Sequence, residues 1–459
     1  MIFEQFYLGC LAQASYLLGS DGIAAVVDPQ RDVDLYLEYA EQHGLKIAHV
    51  IETHLHADFV SGHRELAERT GATIYLGNGS GATFPHNSVK DGDEITFGRC
   101  RLRFLHTPGH TLESMCVLVT DLERGADPWA VLTGDTLFIG DAGRPDLSGL
   151  HTPQELAGLL YDSLHHKLLN LDDAVEVFPA HGAGSICGRN ISADRSSTIG
   201  RERRFNYALR PMARDKFVEV MTHELPPRPR YFERDVDLNR RGAGALSDLP
   251  KLSALEPCDV LVRNRSGAVI LDTRASGPFC SGHIPGGINI GLGGQFASWA
   301  GSVIGLDRDI ILVAEDEAAV DEAQQRLARV GIERVIGFLR DGVAGWLNAG
   351  LKLEPTSQLS VNALDAELRK GDGLRFLDVR RPGEWQEGHV PNAQWIPLDE
   401  LEKRIGELGR ENHFAVYCKS GYRSTIACSM LQSAGFGAVS NILGGFDAWS
   451  AANLPVVSN

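Results

Sequence analysis

The sequence predicts an α/β protein made of three successive domains. Three observations support this prediction: the first two hundred residues alternate apolar runs with amphipathic segments, a stretch rich in Pro and Gly follows them, and the rest of the chain repeats itself. The length of 459 residues is too great for one ordinary domain, and about three domains are expected for it.

The first predicted domain, residues 1–240, contains strands that are joined by both helices and hairpins. Residues 23–29 (IAAVVDP) predict a buried strand, and residues 32–44 predict a helix with an Asp at its start and a Gly at its end. Residues 95–110 alternate around Gly98 as a hairpin does. Further strands are predicted at 46–53, 114–120, 128–135 and 175–182, and a further helix at 153–170. This mixture is typical of an α/β sandwich.

The chain beyond residue 250 repeats itself. Asp272 and Asp378 are 106 positions apart, and so are His283 and His389. The segments that carry this similarity are 268–290 with 374–396, and 339–353 with 443–456. The repeat predicts two domains of about 100 residues each. We place them at 250–353 and 357–459, after a linker rich in Pro and Gly at 224–232 and 240–250.

Composition excludes several classes of partner. The net charge of −16 argues against nucleic acid and anionic membranes, which bind basic patches. No apolar run approaches the roughly 20 residues of a membrane span, and the first residues show no export signal. The eight cysteines are sparse and lack C-x-x-C spacing, which is typical of reduced thiols. We therefore expect a cytoplasmic protein.

The stretch 53–63, THLHADFVSGH, concentrates metal-ligand side chains directly after a predicted strand. A single His near a loop is usually hydrogen-bonded or solvated. Here, however, several apolar runs end in the same way, at an imidazole or carboxylate beside a Gly. The candidate ligands in these segments are His54, His56, Asp58, His63, His110, Asp135 and His181. Their common form predicts a metal site at the strand ends.

The motifs THLHAD, TPGHT, TGDT and PAHG, in this order, resemble the metallo-β-lactamase superfamily. The resemblance covers roughly residues 1–240 and implies an αββα sandwich with the metal at one edge. Hydrolytic members such as glyoxalase II bind two metals, and their first motif reads H-x-H-x-D-H. In this chain Phe59 replaces the last His. Phenylalanine offers no lone pair, so we predict one metal ion.

The resemblance extends to the persulfide dioxygenases of this superfamily. It implies that His54, His110 and Asp135 form a facial triad around one Fe(II). Two imidazoles and one carboxylate leave three open positions on an octahedral ion, as oxygen chemistry requires. The remaining candidates would orient ligands or waters, with packing alone as the alternative; they are His56, Asp58 and His181.

The implied reaction is the oxidation of a persulfide by O2 to sulfite and a thiol. The resemblance implies glutathione or another small thiol as the carrier. Arg144 and Arg204 are candidates to bind its carboxylates, with a structural or surface role as the alternative. Cys187 lies six residues after His181, and a similar Cys occurs in persulfide dioxygenases fused to sulfurtransferase domains. It either stands close to the iron or is simply a buried apolar residue.

The last domain contains a candidate nucleophile, Cys418, between an apolar strand and a predicted helix. The loop CKSGYR resembles the active-site loop of rhodaneses, and LDVR, EGHVPNA and GGFDAW resemble their flanking motifs. Peptide N–H groups of such a loop and the helix N-terminus favour the thiolate. Lys419 and Arg423 are expected to attract an anionic donor such as thiosulfate. The predicted binding loop is completed by Ser420, Gly421 and Tyr422.

The middle domain has the same flanking motifs but lacks the active-site cysteine. When the repeats are aligned on Trp346 and Trp449, the position of Cys418 falls at Glu315. We therefore predict an inactive rhodanese-like domain with a possible role in subunit contacts.

The whole chain resembles the bacterial persulfide dioxygenase–rhodanese fusion proteins. That implies persulfide oxidation coupled to sulfane-sulfur transfer among persulfide, thiosulfate and sulfite, in a homo-oligomer. Two alternatives remain open at this point. One is a dinuclear zinc thioester hydrolase of the glyoxalase II type with an attached sulfurtransferase. The other is a sulfur carrier or scaffold without catalysis of its own.

Overall fold

The computed structural model describes residues 1–147, 149, 151–223, 225, 227–364 and 373–458. Two compact units account for the chain: Met1–Leu249 with Arg329–Gly331, and Pro250–Ala328 with Ile332–Asn459. The predicted linker and the last predicted domain each include residues outside the described part, namely Glu224, Pro226, 365–372 and Asn459. Among the described helices, none has the length and apolar character to cross a membrane.

The first sheet of the first unit is mixed, and its strands lie side by side in chain order. They are β1 (Ile2–Leu8), β2 (Gln13–Ser20), β3 (Ile23–Val27), β4 (Lys46–Ile51), β5 (Thr73–Gly77) and β6 (Asn87–Val89). β1 to β3 form an antiparallel meander, whereas β3 to β6 are parallel. Parallel neighbours need crossover connections, and the helices α1 (Asp34–Gln42) and α2 (His63–Thr70) supply two of them.

The second sheet has the order β14-β13-β10-β9-β8-β7. Its strands are β7 (Glu94–Phe97), β8 (Cys100–His106), β9 (Met115–Asp121), β10 (Ala130–Gly134), β13 (Glu176–Pro179) and β14 (Ser197–Thr198), while β11 (Leu137–Phe138) and β12 (Asp141–Ala142) form a small hairpin. The helices of this part are α3 (Pro153–His166), α4 (Ile199–Phe205), α5 (Arg214–Thr222) and α6 (Phe232–Arg241). α3 is capped by Thr152, whose side chain accepts from the N–H of Glu155 in a capping box.

The core of this unit lies between the two sheets, and helices cover their outer faces. Strand β3 shows why: Ala25 and Val27 pack toward the second sheet, while Ala24 and Val26 pack toward α1 and α2. Successive strand residues point to opposite faces, so an uninterrupted apolar strand is buried on both. On the other side, helices α3 and α5 pack against the second sheet. The predicted αββα sandwich is confirmed.

The second unit contains two parallel sheets of the same order. The first is β15-β19-β18-β16-β17, with β15 (Ala254–Leu255), β16 (Val269–Asp272), β17 (Ile288–Asn289), β18 (Ile310–Val313) and β19 (Val335–Leu339). The second is β20-β24-β23-β21-β22, with β20 (Ser357–Leu359), β21 (Arg375–Asp378), β22 (Gln394–Trp395), β23 (Phe414–Tyr417) and β24 (Val439–Ile442). Two copies of one α/β fold agree with the predicted repeat.

The helices of the second unit flank these sheets. In the middle domain they are α7 (Pro257–Arg265), α8 (Ser276–Ser281), α9 (Phe296–Val303), α10 (Glu317–Ala328) and α11 (Gly342–Asn348). In the last domain they are α12 (Pro382–Glu387), α13 (Leu401–Arg404), α14 (Tyr422–Ser433) and α15 (Gly445–Ala451).

The strand register corrects one sequence prediction. Asp378 lies opposite Tyr417, the residue before Cys418, and in the middle domain Asp272 lies opposite Val313. The residue at the position of Cys418 is therefore Ala314 and not Glu315. The loop before α10 is one residue shorter than the loop before α14, and the chain between α10 and Trp346 is longer, so an alignment on the Trp residues slips by one. The conclusion that the nucleophile is missing is unchanged.

Candidate metal centre and cysteine site

Three strand ends of the first unit bring His54, His110 and Asp135 together. His54 follows β4, His110 lies between β8 and β9, and Asp135 directly follows β10. Nε2 of His110 is 3.3 Å and Nε2 of His54 is 3.8 Å from Oδ2 of Asp135. The three side chains are buried, and one potential ligand atom from each lies within 4.8 Å of the others.

These residues fit a metal ion. Within the described residues, Nε2 of His110 and both carboxylate oxygens of Asp135 are buried and have no hydrogen-bond partner. Burying a carboxylate without a compensating charge costs free energy, and a cation at this position would supply that charge. The other nitrogens of the two imidazoles are already bonded, Nδ1 of His54 to Oγ1 of Thr53 at 3.0 Å and Nδ1 of His110 to the carbonyl of Arg144 at 3.0 Å. Such outer bonds orient metal-binding imidazoles.

The protonation of the two imidazoles also suits a ligand role. Burial lowers the pKa of His54 well below its usual value, and the neighbouring imidazoles of His56 and His110 lower it further. Burial likewise lowers the pKa of His110, although Asp135 opposes this effect. Both rings are therefore neutral near pH 7, and neutral imidazole is the form that binds metals.

A second group of possible ligands lies beside the first. His56, Asp58 and His181 also offer ligand atoms within 4.8 Å of one another. Nε2 of His181 is 3.4 Å from Oδ2 of Asp58 and 3.5 Å from Oδ1 of Asp135, so this imidazole lies between the two carboxylates. The ring of Phe59 stands at this group, with its centroid 4.3 Å from that of His56 and 6.5 Å from that of His181.

Two carboxylates that the sequence did not reveal as partners hold His56. Its Nε2 lies 3.2 Å from Oδ1 of Asp28 and 3.3 Å from Oε2 of Glu52, and all three side chains are buried. Burial lowers the pKa of His56, but the charges and hydrogen bonds of Asp28 and Glu52 outweigh it, and the pKa lies well above its usual value. Glu52 also accepts from Oγ of Ser61 at 2.6 Å, and its Oε1 is 3.4 Å from Nδ1 of His63. His63 thus lies beside this network and not in the first ligand group.

The loop that carries these residues is fixed by Asn239 of α6. Its Nδ2 donates to the carbonyls of His56 and Phe59, both at 2.8 Å, and its Oδ1 accepts from the N–H of Ser61 at 2.8 Å. Asn239 is 1% exposed, which leaves these three bonds shielded from water. The residue lies in a charged helix between the two linker stretches, where nothing in the sequence indicates a contact with the ligand loop.

Cys187 lies beside the candidate metal ligands. Its sulfur, a carboxylate oxygen of Asp135 and a ring nitrogen of His181 are within 4.8 Å of one another. Burial and the charges of Asp58 and Asp135 raise the pKa of the Cys187 thiol well above its usual value. In this environment the group is a neutral thiol.

The two arginines expected to bind the carrier occupy different environments. Arg144 is buried, and its guanidinium forms a two-pronged pair with Asp146, Nε to Oδ1 at 2.7 Å and Nη2 to Oδ2 at 2.9 Å. Its carbonyl bonds the ring of His110, and the preceding Gly143 leaves room for that contact, since a Cβ there would lie 2.9 Å from Nδ1 of His110. Arg204 is exposed on α4.

In the second unit, Cys418 lies where β23 ends and the loop before α14 begins. Its sulfur accepts from the N–H of Gly421 at 3.1 Å. Oγ of Ser424 lies 3.5 Å from the sulfur and donates to Oδ1 of Asn441 at 2.6 Å. The loop backbone is held from the other side, where the N–H of Phe446 donates to the carbonyl of Cys418 at 2.8 Å. A Cβ on Gly445 would lie 2.4 Å from that carbonyl oxygen, so only glycine fits there. N–H groups aimed at the sulfur stabilise negative charge on it.

The charged residues of the loop differ in their availability. Lys419 and Ser420 are exposed. The guanidinium of Arg423, by contrast, is paired with Glu384, Nη1 to Oε2 at 2.6 Å and Nη2 to Oε1 at 2.7 Å. An anionic donor therefore meets a neutralised pair at Arg423 and a solvated cation at Lys419. The hydroxyl of Tyr422 is also occupied, because it donates to the carbonyl of Gly291 at 2.8 Å.

Comparisons with known proteins agree with this architecture. The model of the metallo-beta-lactamase superfamily matches residues 8–181, and that of the rhodanese-like domain matches residues 259–349 and 360–452. A solved metallo-beta-lactamase from Staphylococcus aureus subsp. aureus COL is 32% identical, with a TM-score of 0.67, and the match covers 74% of this chain and 98% of that one.

Two relatives match the first unit. The persulfide dioxygenase ETHE1 of Bos taurus is 31% identical over 235 residues, which is 50% of this chain and 83% of the relative. A hydroxyacylglutathione hydrolase of Francisella philomiragia is 32% identical over 177 residues, which is 38% of this chain and 65% of the relative. The chain thus spans slightly less than two thirds of the length of the hydrolase.

The family matches and the structure lead to the same assignment. The His and Asp cluster falls within residues 8–181, which the first family model matches, and the loop at Cys418 falls within residues 360–452, which the second matches. The chain belongs to the metallo-β-lactamase superfamily, as a fusion in which the metal-binding domain is followed by two rhodanese-like domains.

Proposed function

We propose that the first unit is an iron-dependent persulfide dioxygenase and that the last domain is a sulfurtransferase acting through Cys418. The observation that carries the first proposal is the buried cluster of His54, His110 and Asp135, in which facing polar atoms lack hydrogen-bond partners among the described residues. The likeness to ETHE1 supports it. The substrate is proposed to be a low-molecular-weight persulfide, with glutathione as the carrier.

The ligand set determines what the cluster can do. When bound, one Fe(II) would supply the redox chemistry by which both atoms of O2 reach the terminal sulfur; water would then break the S–S bond, giving its oxygen to sulfite and a proton to the departing thiol. Two imidazoles and one carboxylate would hold the ion and leave open positions. The hydrogen bonds of the two rings with Oγ1 of Thr53 and to the carbonyl of Arg144 keep the rings in place. His181, close to both Asp58 and Asp135, would orient the carboxylate of Asp135.

A single metal per chain is part of this proposal. Two features oppose a second ion beside the first. Phe59 places an apolar ring where hydrolytic relatives have an imidazole, and Asp28 and Glu52 compete for the imidazole of His56. Arg204 is exposed and is the candidate to bind the carboxylates of the glutathione carrier. Arg144 is already paired with Asp146.

The proposed sulfur transfer takes place in the loop that contains Cys418. The thiolate attacks the sulfane sulfur of thiosulfate, the S–S bond of the donor breaks, and sulfite leaves with the electron pair. The transferred sulfur then sits on Cys418 as a persulfide, and an acceptor such as cyanide or a thiolate removes it. The N–H of Gly421 would stabilise charge at the sulfur, and Lys419 would attract the donor.

Oxygen uptake on glutathione persulfide tests the first proposal, and thiocyanate formation from thiosulfate and cyanide tests the second. We expect both activities in the full chain, with loss of only the second in Cys418→Ser. Cleavage of a glutathione thioester by zinc-loaded protein without oxygen uptake would instead support the hydrolase alternative. A single stoichiometric release of sulfur without turnover would support the carrier alternative. A cytoplasmic location and a homo-oligomer remain predictions from the sequence.

A further inference from the structure

The helix that follows the Cys418 loop is buried on every side. In α14 the residues from Ser424 to Leu431 are consecutively buried, a run longer than two helical turns. The equivalent helix of the middle domain, α10, exposes Glu317, Asp321 and Glu322 in the ordinary way of a surface helix. One side of α14 packs on its own strands β23 and β24, so another element must cover the opposite side.

The middle rhodanese-like domain provides that cover. The peptide N–H of Asn289, in the edge strand β17, donates to Oγ of Ser429 at 3.0 Å, and this contact is buried. Toward the end of α14, Gln432 accepts from Oγ1 of Thr356 at 2.7 Å and donates to the carbonyl of Pro355 at 3.1 Å. Bonds from the middle domain and from the segment that joins it to the last domain thus hold α14.

The contact at the start of α14 lies next to the candidate nucleophile. Tyr422 is the first residue of the helix, and its hydroxyl donates to the carbonyl oxygen of Gly291, 131 positions earlier in the chain, at 2.8 Å. Burial raises the pKa of the Tyr422 phenol, so the hydroxyl keeps the proton that it donates. Its neighbour Gly421 supplies the N–H that bonds the sulfur of Cys418.

The acceptor loop of the middle domain is itself held by a buried cation. The guanidinium of Arg326 donates to the carbonyl of Leu292 and, at 3.1 Å, to the carbonyl of Gly294. It also lies over the ring of Phe296, with its carbon 5.5 Å from the centroid. Arg326 is 8% exposed, so these bonds are shielded and keep the segment that contains Gly291 in one conformation.

We propose that the middle domain, which lacks a nucleophile, is a positioning element of the sulfurtransferase site and acts through the bond from Tyr422 to Gly291. Holding the ring of Tyr422 fixes the first turn of α14 and, with it, the peptide N–H of Gly421 that faces the sulfur. In this role Tyr422 is a positioning residue and not a substrate-binding one. The inference rests on the proposed sulfur transfer at Cys418.

The test uses the full chain and thiocyanate formation from thiosulfate and cyanide. Tyr422→Phe keeps the ring and removes the hydroxyl, and we expect kcat to fall about three- to tenfold, the usual worth of one hydrogen bond. The peptide N–H of Gly421 faces the transferred sulfur, whereas the exposed Lys419 meets the donor. The KM for thiosulfate should therefore stay within about twofold of the wild-type value. Tyr161→Phe is the matched control, because its hydroxyl also donates to a backbone carbonyl, that of Met212, in the first unit.

A second variant, Arg326→Lys, weakens the acceptor loop from within the middle domain. We expect a lower kcat here too, and in the double variant the two losses should not add, because both act through one contact. An unchanged kcat in Tyr422→Phe, a change confined to KM, or additive losses would overturn the inference. If the wild type forms no thiocyanate, or if Cys418→Ser retains the activity, the proposed sulfur transfer itself fails, which is a separate outcome.

Discussion

Nε2 of His110 lies 3.3 Å from Oδ2 of Asp135 inside the first unit, and neither atom has a hydrogen-bond partner among the described residues. Burying such a pair costs free energy unless a third group lies close enough to interact with both atoms. With the imidazole of His54 on the same carboxylate oxygen, that third group is best explained as a metal ion.

The first prediction concerns Asp135. Asp135→Asn keeps the shape of the side chain and removes its charge. The affinity for iron should therefore fall by much more than the roughly 10- to 100-fold that is typical of changes outside the ligand set. Oxygen uptake should disappear while thiocyanate formation at Cys418 continues. Elemental analysis and an oxygen electrode measure the two effects. Loss of both activities in a folded protein would contradict independent sites.

The second prediction concerns Phe59. Phe59→His restores an imidazole beside Asp58 and His181, and its ring would take a position now 6.5 Å from the ring of His181. We expect the metal content to rise from about one to about two ions per chain in zinc-supplemented medium. Phe59→Leu, which changes size but adds no ligand, is the control and should stay near one. Equal metal content in wild type and Phe59→His would show that this ring does not limit the second site.

The third prediction concerns Asn239, which fixes the ligand loop by three hydrogen bonds. Asn239→Ala should lower the free energy of unfolding by about 2–4 kcal/mol, because it leaves buried backbone groups unsatisfied. It should also weaken iron binding. The control is Asn170→Ala, which removes a single exposed bond to the carbonyl of His166. Urea denaturation compares the two, and equal effects would exclude a special role for Asn239.

The fourth prediction concerns pH and the pair of Glu384 with Arg423. Burial alone would raise the pKa of Glu384, but the hydrogen bonds and charge of Arg423 outweigh it and lower the pKa below the ordinary 4.5. The pair therefore stabilises the fold above pH 4.5, and this contribution is lost as the pH falls through the lower pKa of the folded state.

Glu384→Gln should accordingly be less stable than wild type at pH 7, and the difference should shrink below pH 4.5. Denaturation curves across this range measure it. Glu407→Gln is the matched control, since Glu407 pairs with Arg404 on the exposed surface, where such pairs contribute little. A difference for Glu384→Gln that does not depend on pH would contradict the ion-pair explanation.

Sequence reasoning succeeded where the signal is local. The candidate ligands His54, His110 and Asp135 and the neighbouring His181 all follow apolar runs, and strand ends that share an edge bring such residues together. Cys418 was likewise visible, because a strand, a Gly-containing loop and a helix are adjacent in the chain.

The remaining features depend on partners that are distant in sequence. Glu384 neutralises Arg423 from 39 positions away, and Gly291 accepts from Tyr422 across 131 positions. Neither partner carries a motif of its own. The displaced equivalent of Cys418 in the middle domain has a different cause: the length changes between this position and the Trp residue do not cancel, so an alignment on the Trp residue alone is shifted by one.

The central claim is a single ferrous ion in the first unit, and an anaerobic metal count on untreated full-length protein tests it most directly. The account predicts about one iron and no zinc per chain, with Asp135→Asn as the empty control. A count of about two metal ions per wild-type chain, bound in the same unit, would contradict it and would favour hydrolysis as the chemistry of this domain.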